Sequence, residues 1–318
     1  MHKIGIIENI AEEGISLLKN NKKFQYEIIE DVSKENLIKV LPNFDGITLR
    51  VAKLDSDILK YCKKLKVISR HGVGYDNVDL NFLKKNNIKL LITATANAVS
   101  VAEHVMYMIL SLSKGITQYD TMVRSGKFRD AVKNVLTYEL LKKKILIMGF
   151  GRIGRILIKR CLGFEMNVEV YDPFVNKNDI ENYGGVKVDN LNNSLKTSDF
   201  ISIHMPLNEK TKNLIDFNKL KSMKDNTIII NTARGGIINE IDLDKALKQN
   251  LIFGAGLDVF EKEPIEMNSP LIKNKKILLS PHSATFTKEC KIRMGKQTVQ
   301  NLIDFFEGTI KKNMIVGL

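Results

Sequence analysis

The sequence has little of what would mark a metal, disulfide or membrane protein. Its three cysteines, Cys62, Cys161 and Cys290, stand far apart and without CxxC spacing. Neither a disulfide framework nor a zinc site is expected from them, and each reads most simply as a small buried hydrophobe. Histidine is scarce too, with five in the chain and no HExxH run, so no metal is expected. No stretch approaches the roughly 18 uninterrupted apolar residues of a membrane span. The opening MHKIGIIENIAEEG reads as strand and turn rather than as a signal peptide. A cytoplasmic protein without a membrane partner is the expectation. Repeats at solenoid period and low-complexity linkers are also missing.

What is abundant is ordinary globular composition and positive charge. With 318 residues, 44% hydrophobic and 27% charged, the chain is long enough for two domains, each with its own core. The formal net charge of +13 raises a nucleic-acid reading, because basic surfaces attract polyanions. The lysines argue against it. They fall in pairs and one triplet along the whole chain, at Lys22 and Lys23, Lys84 and Lys85, Lys142 to Lys144, and Lys275 and Lys276, without interleaved aromatics. Nucleic-acid binding is kept as the alternative from another class; a small anionic substrate suits the same charge.

One stretch organises the rest: KILIMGFGRIG, Lys144 to Gly154. A short apolar run is followed at once by Gly149, Gly151 and Gly154 in GxGxxG spacing, then by the helix-compatible RILIKRCLGF. In a dinucleotide-binding turn the first glycine makes the tight turn, the second lets backbone approach the pyrophosphate, and the third lets the helix pack on the strand. The helix start offers N–H groups and a positive dipole end to phosphate. Taken alone the motif could be an ordinary strand-to-helix turn. A second apolar strand, Val168 to Tyr171, ends at Asp172, near the roughly 20-residue offset at which an acid meets a ribose 2′-hydroxyl. The acid would repel a 2′-phosphate and no arginine follows directly, so NAD is favoured over NADP. Lys177 weighs the other way.

Residues 1 to 97 alternate apolar runs (KIGIIE, QYEIIE, GITL, KVIS, KLLIT) with amphipathic segments, which predicts a small parallel α/β unit. In it SRHGVGYDNVD follows a strand directly, so Gly72 and Gly74 fall on a carboxyl-end loop, where open sheets bind ligands. Ala98 to Gly126 carries Val101, Val105, Met108, Ile109 and Leu112 at helical spacing and predicts one long helix into the second unit; part of its stripe is a candidate subunit contact. Residues 142 to about 284 then hold six predicted strands, Ile145 to Met148, Val168 to Tyr171, Phe200 to Ile203, Thr227 to Asn231, Phe253 to Leu257 and Ile277 to Leu279. A final amphipathic helix, after Thr287 and through about Phe306, is most simply returned to the first unit. The fold class is therefore α/β, with two doubly wound parallel sheets. The expected division is residues 1–97 and 285–318 as one domain and 98–284, the dinucleotide domain, inserted into it.

Three of the later strands end in reactive side chains. Arg234 lies in NTARGG, Asp258 and Glu263 in LDVFEKEP, and His282 in SPHS, all on the carboxyl edge that Gly149 also marks. Moving a hydride between a hydroxy acid and nicotinamide needs a group that exchanges a proton near neutrality, and histidine, with an ordinary pKa of roughly 6.5, suits that. A carboxylate beside it favours the imidazolium and orients the ring, a role open to Glu263. Arg234 can grip a substrate carboxylate at two points. Singly, each has a plain alternative as a surface ion pair, a solvated acid or a helix cap. His204 is expected to line the cofactor cleft, while His71 and His104, with no partner evident, read as structural.

With these motifs assembled, the chain resembles the NAD-dependent D-2-hydroxyacid dehydrogenases, most closely their D-3-phosphoglycerate dehydrogenase branch. RHGVGYDNVD, NAVSVAEHV, GFGRIGR, YDP, HMPLNEKT, NTARGGIINEIDL, GAGLDVFEKEP and SPHSA follow in the family's order over nearly the whole length. The resemblance implies a Rossmann domain for NAD and a flavodoxin-like domain for substrate. It implies that Arg234, Glu263 and His282 are catalytic, with His282 as general acid and base. Arg152, Ile153, Asp172, Thr232 and Asp258 would line the NAD site, and Asn97 and the backbone around Val73 and Gly74 would meet the substrate. Arg50 and Arg70 match positions that hold the phosphate end of phosphoglycerate, which tilts the expectation to 3-phospho-D-glycerate and serine biosynthesis. Glyoxylate or hydroxypyruvate reduction is the alternative, and an NAD-sensing corepressor-like scaffold is one of another class. The stretch GKFRDAVKNVLTYELLKKK departs from the family's tryptophan-containing pattern and is expected to alter a pocket wall. A homodimer is expected, as is a short form without a C-terminal regulatory domain or feedback through it.

Overall fold

The computed structural model describes residues 1–129 and 136–317; residues 130–135, inside the tryptophan-less stretch noted above, lie outside the described residues. The chain divides into two compact units, Met1–Asn97 with Thr285–Leu318, and Ala98–Ala284.

The first unit is a five-stranded sheet of β1 (His2–Ile7), β2 (Phe24–Ile29), β3 (Gly46–Leu49), β4 (Val67–Arg70) and β5 (Lys89–Leu91). Its order is β2-β1-β3-β4-β5, all pairs parallel, which is the flavodoxin-like order. The five apolar runs of the sequence are these five strands. Helix Lys288–Glu307, capped at its start by the Thr287 side chain, buries Val299 and Leu302 in one cluster with Ile4, Ile6 and Val67 of the sheet. The final helix therefore covers the first sheet. It meets helix Glu12–Lys19 where both backbones are bare: a Cβ on Gly14 would lie 2.5 Å from the Gly295 carbonyl oxygen.

The second unit is a seven-stranded parallel sheet of β6 (Lys144–Met148), β7 (Asn167–Tyr171), β8 (Val186–Lys187), β9 (Phe200–Ile203), β10 (Ile228–Asn231), β11 (Gly254–Leu257) and β12 (Ile277–Leu279), in the order β12-β11-β10-β9-β6-β7-β8. Counted from β6, this is the doubly wound dinucleotide-binding order, with the switch point between β6 and β9. Strands β9 and β10 are buried along their whole length, because helices cover both faces; a strand wet on one face would alternate. One face packs Leu195, Leu220, Leu243 and Leu247, the other Val105, Met108, Leu157 and Ile158.

Two expectations need correction. The sheet has a seventh strand, Val186–Lys187; two residues at an edge leave no apolar run to read. The helix expected to run from Ala98 to Gly126 is two, Ala98–Lys114 and Ile116–Arg124, because Gly115 adopts a left-handed φ of 62°, a conformation open to glycine and incompatible with a continuing helix. Among the described residues no helix is long and apolar enough to cross a membrane. Cys62, Cys161 and Cys290 are buried and form no disulfide.

Candidate active site

The three motif glycines differ in surroundings as their expected roles require. Gly149 takes a positive φ of 109°, and a Cβ there would lie 2.7 Å from the His204 carbonyl oxygen, so the turn after β6 seats directly on the end of β9. A Cβ on Gly154 would lie 2.3 Å from the Gly149 carbonyl oxygen, whereas one on Gly151 would meet nothing within 4 Å. The middle glycine thus faces open space at the start of helix Arg152–Gly163, where a pyrophosphate can approach the first N–H groups. Arg152 and Ile153 open that helix. Asp172, at the end of β7, accepts from the Phe150 amide (2.8 Å) and the Phe174 amide (2.9 Å). It braces the glycine turn while standing where a ribose hydroxyl would arrive. Lys177 is 3.6 Å from Glu181 in its own short helix. At the ends of β9 and β10, His204 Nδ1 and Thr232 Oγ1 are buried with no partner among the described residues. Burial pushes the His204 imidazole down to about 3, so the ring is neutral, with Ser202 Oγ 2.7 Å from Nε2. A cradle that is open at Gly151 and carries unmet polar atoms beside it fits NAD.

Further along the same edge, Arg234, Glu263 and His282 converge. His282 Nδ1 lies 2.8 Å from Glu263 Oε2, and Glu263 Oε1 accepts from the Phe260 amide at 3.0 Å. The loops carrying Arg234 and Glu263 can meet because Gly235 has no side chain: a Cβ there would lie 1.9 Å from the Phe260 carbonyl carbon. The Arg234 turn is braced by Asn231, which donates to the Arg234 carbonyl (2.8 Å) and accepts from the Ala233 amide (3.0 Å). His282 sits at a left-handed φ of 52°, sparsely populated by residues other than glycine. The two amides that follow, Ser283 and Ala284, both donate to the Asp258 carboxylate, at 2.8 and 3.0 Å. Asp258, expected at the NAD site, is 1% exposed and is committed to this loop. His104, read as structural, lies with Nε2 2.9 Å from Ser280 Oγ. Asn231, Gly235 and Ser280 were missed from the sequence. Each lies within one of the motif stretches, but Gly235 meets Phe260 and Ser280 meets Asp258 and His104 far along the chain, so spacing carried no signal; Asn231 braces its own turn, a role its residue type alone does not announce.

The charges follow from this geometry. The hydrogen bond from His282 to Glu263 raises the His282 pKa above the ordinary histidine value of 6.5, against burial, with the charges of Glu263 and Asp258 assisting and that of Arg234 opposing. Burial pushes the Glu263 acid upward, but the bonds from His282 and the Phe260 amide and the charges of His282 and Arg234 prevail and lower it from 4.5. Arg234 acts on both partners, so its guanidinium shares their field.

In the first unit the carboxyl edge carries the residues expected to meet substrate. Arg70 Nε donates to the Gly74 carbonyl (2.7 Å), and Nη1 to those of Leu49 (2.8 Å) and Arg50. Arg50 Nη1 donates to the Asn9 carbonyl (3.0 Å), and Glu8 holds the Val51 and Ala52 amides at 2.8 and 3.1 Å. His71 is pushed down to about 4, by burial first and then by the Arg50 and Arg70 charges. Val73, Gly74 and Asn97 are half-buried on these loops.

A proton-exchanging pair on the carboxyl edge of a doubly wound sheet, beside a phosphate-accepting glycine turn, is the equipment of a dinucleotide-dependent oxidoreductase. The family described as "D-isomer specific 2-hydroxyacid dehydrogenase, NAD binding domain" matches residues 106–284. The chain is 35% identical over 314 residues to a D-3-phosphoglycerate dehydrogenase of Archaeoglobus fulgidus, covering 98% of this chain and 59% of that protein. It thus spans well under two thirds of that relative. It is also 35% identical over 322 residues to a glyoxylate reductase of Thermococcus litoralis, covering 98% and 96% of the two chains. An NAD-dependent formate dehydrogenase from Staphylococcus aureus, solved in complex with NAD, superposes with a TM-score of 0.87 at 27% identity, covering 99% of both chains. The chain belongs to the D-2-hydroxyacid dehydrogenase family and is an NAD-dependent enzyme.

Proposed function

We propose that the protein interconverts 3-phospho-D-glycerate and 3-phosphohydroxypyruvate, the entry to serine biosynthesis, with Arg234, Glu263 and His282 as its catalytic residues. The observation that carries the chemistry is the His282 Nδ1 to Glu263 Oε2 contact of 2.8 Å. It commits Nδ1–H to the carboxylate and leaves Nε2 to exchange the substrate proton. In the oxidative direction neutral His282 takes the hydroxyl proton at Nε2; in the reductive direction the imidazolium returns it to the carbonyl oxygen. Arg234 grips the substrate carboxylate and polarises the neighbouring oxygen. Bound NAD supplies the hydride acceptor. Gly149, Gly151, Arg152, Ile153, Gly154, Asp172, His204, Thr232 and Asp258 would form its site, with Asp258 acting through the loop it clasps.

Arg50 and Arg70, on the ends of the paired strands β3 and β4, support an anionic distal group on the substrate, with Val73, Gly74 and Asn97 as its backbone and amide contacts. The carbonyl bonds of Arg70 favour a second reading, reduction of glyoxylate or hydroxypyruvate, in which that guanidinium shapes the loop. A spectrophotometric panel separates the two: 3-phosphoglycerate, glycerate, lactate and malate in oxidation, glyoxylate and hydroxypyruvate in reduction. Phosphoglycerate oxidation is expected to be fastest and to fall at least about tenfold in Arg50→Ala, the scale of one lost charged contact. Equal rates with and without Arg50 would favour the reductase.

A homodimer is part of this proposal. Tyr107, Ile116 and Val123, on helices Ala98–Lys114 and Ile116–Arg124, and Phe128 just beyond are 50%, 55%, 52% and 69% exposed, an apolar stripe that a second copy would cover. Light scattering of a monomer at micromolar concentration would remove that part. We place the protein in the cytoplasm, where buried thiols outside disulfides, such as those of Cys62 and Cys161, stay reduced.

A further inference from the structure

We infer that His104 is a positioning residue for the His282 loop, acting through the Ser280 hydroxyl to hold the Asp258 carboxylate in place. The inference rests on His282 being the acid–base group. Ser280 Oγ stands 2.5 Å from Asp258 Oδ1 and 2.9 Å from His104 Nε2. A hydroxyl has a single proton, and an ionised carboxylate only accepts. Ser280 therefore donates to Asp258 and must accept from His104, which fixes the proton of His104 on Nε2. The chain of donors runs one way, from His104 to Ser280 to Asp258. It ends where the Ser283 and Ala284 amides hold to the same carboxylate, directly after His282 and its left-handed backbone.

Neutrality of His104 matters to this arrangement. Its side chain is 16% exposed and its Nε2 lies 3.7 Å from Asp258 Oδ1. Burial keeps its pKa below the ordinary value, against the pull of Asp258. A neutral donor orients the carboxylate without cancelling its charge, and that charge helps His282 keep its proton. Around His282 the charged groups are Glu263, Asp258 and Arg234; the charge acting on His104 among the described residues is that of Asp258, with the Tyr107 ring 5.5 Å from its own.

The test uses the full chain as His104→Phe, His104→Gln, Ser280→Ala and the double variant His104→Phe with Ser280→Ala. His104→Phe and Ser280→Ala are each expected to lower kcat about tenfold, leave KM for NAD within about twofold, and move the His282 ring titration, read by NMR, to lower pH. Because both remove links of one chain, the double variant should be about as slow as the slower single. His104→Gln, which keeps a donor near the position of Nε2, should recover kcat to within about threefold. An unmoved His282 titration, losses that multiply in the double variant, or a His104→Gln no better than His104→Phe overturns the inference. The ring titration is read without turnover, so it stands apart from any failure of the His282 assignment, which an active His282→Ala enzyme would reveal.

Discussion

Alanine in place of His282 is expected to lower turnover by roughly 10²–10⁴-fold, the range supplied by a positioned general acid or base, while NAD affinity stays within about twofold. The split follows from where the side chain sits. His282 lies on the loop after β12 and pairs with Glu263, whereas the glycine turn follows β6 and the bracing acid Asp172 ends β7. Removing the imidazole takes away the atom proposed to exchange the proton and touches none of those backbone contacts. Stopped-flow turnover together with NAD titration by intrinsic tyrosine fluorescence or calorimetry measures both halves. A variant with wild-type turnover would end the acid–base assignment, and one that loses NAD binding would mean that the two sites are built from one structure.

The second large effect is on pH dependence. Since the hydrogen bond and charge of Glu263 raise the His282 pKa above 6.5, reduction, which needs the imidazolium, should hold its rate below that raised value and decline above it. Oxidation needs the neutral ring and should rise through the same pH. In Glu263→Gln the raising bond and charge are lost, while burial and Arg234 still lower the pKa. Both limbs should therefore move to lower pH, and reduction at pH 7.5 should suffer most. Profiles that keep their midpoints in Glu263→Gln would show that the titrating group is another. Stability carries the complementary signature. The His282 contribution is complete below 6.5 and is lost as pH rises through the folded value; that of Glu263 is complete above 4.5 and is lost as pH falls through its lowered value. The pair thus stabilises most between about 4.5 and 6.5, and with half of the His282 side chain exposed solvent screens the effect. Thermal melts of wild type and Glu263→Gln should differ most inside that window and converge outside it.

Much of this molecule was legible because parallel sheets write themselves into sequence. Strands such as Ile145 to Met148 and Ile228 to Ile230 are covered on both faces, so each is a continuous apolar run. The loops at their carboxyl ends carry the polar exceptions, Gly149, Asp172, Arg234 and His282. The edge strand Val186–Lys187 was invisible, since two half-wet residues have no periodicity to detect. The break at Gly115 was passed over because the apolar residues before it satisfy helical spacing; a glycine inside a helical pattern becomes decisive only when its φ is known.

The sequence by itself determined the fold class, the family and the cofactor, and named candidate side chains for the chemistry, because these depend on local pattern and on residue type at strand ends. Tertiary structure decided which of those side chains act on one another. Asp258 turned out to hold the His282 loop, His104 to stand behind Asp258, and Gly235 to admit the Phe260 backbone, none of which spacing along the chain could express. The reason is physical. Patterning is set by burial, which each segment satisfies with any apolar neighbour, whereas a hydrogen bond of 2.8 Å has a direction and one partner, and that partner is chosen only when distant loops are packed together.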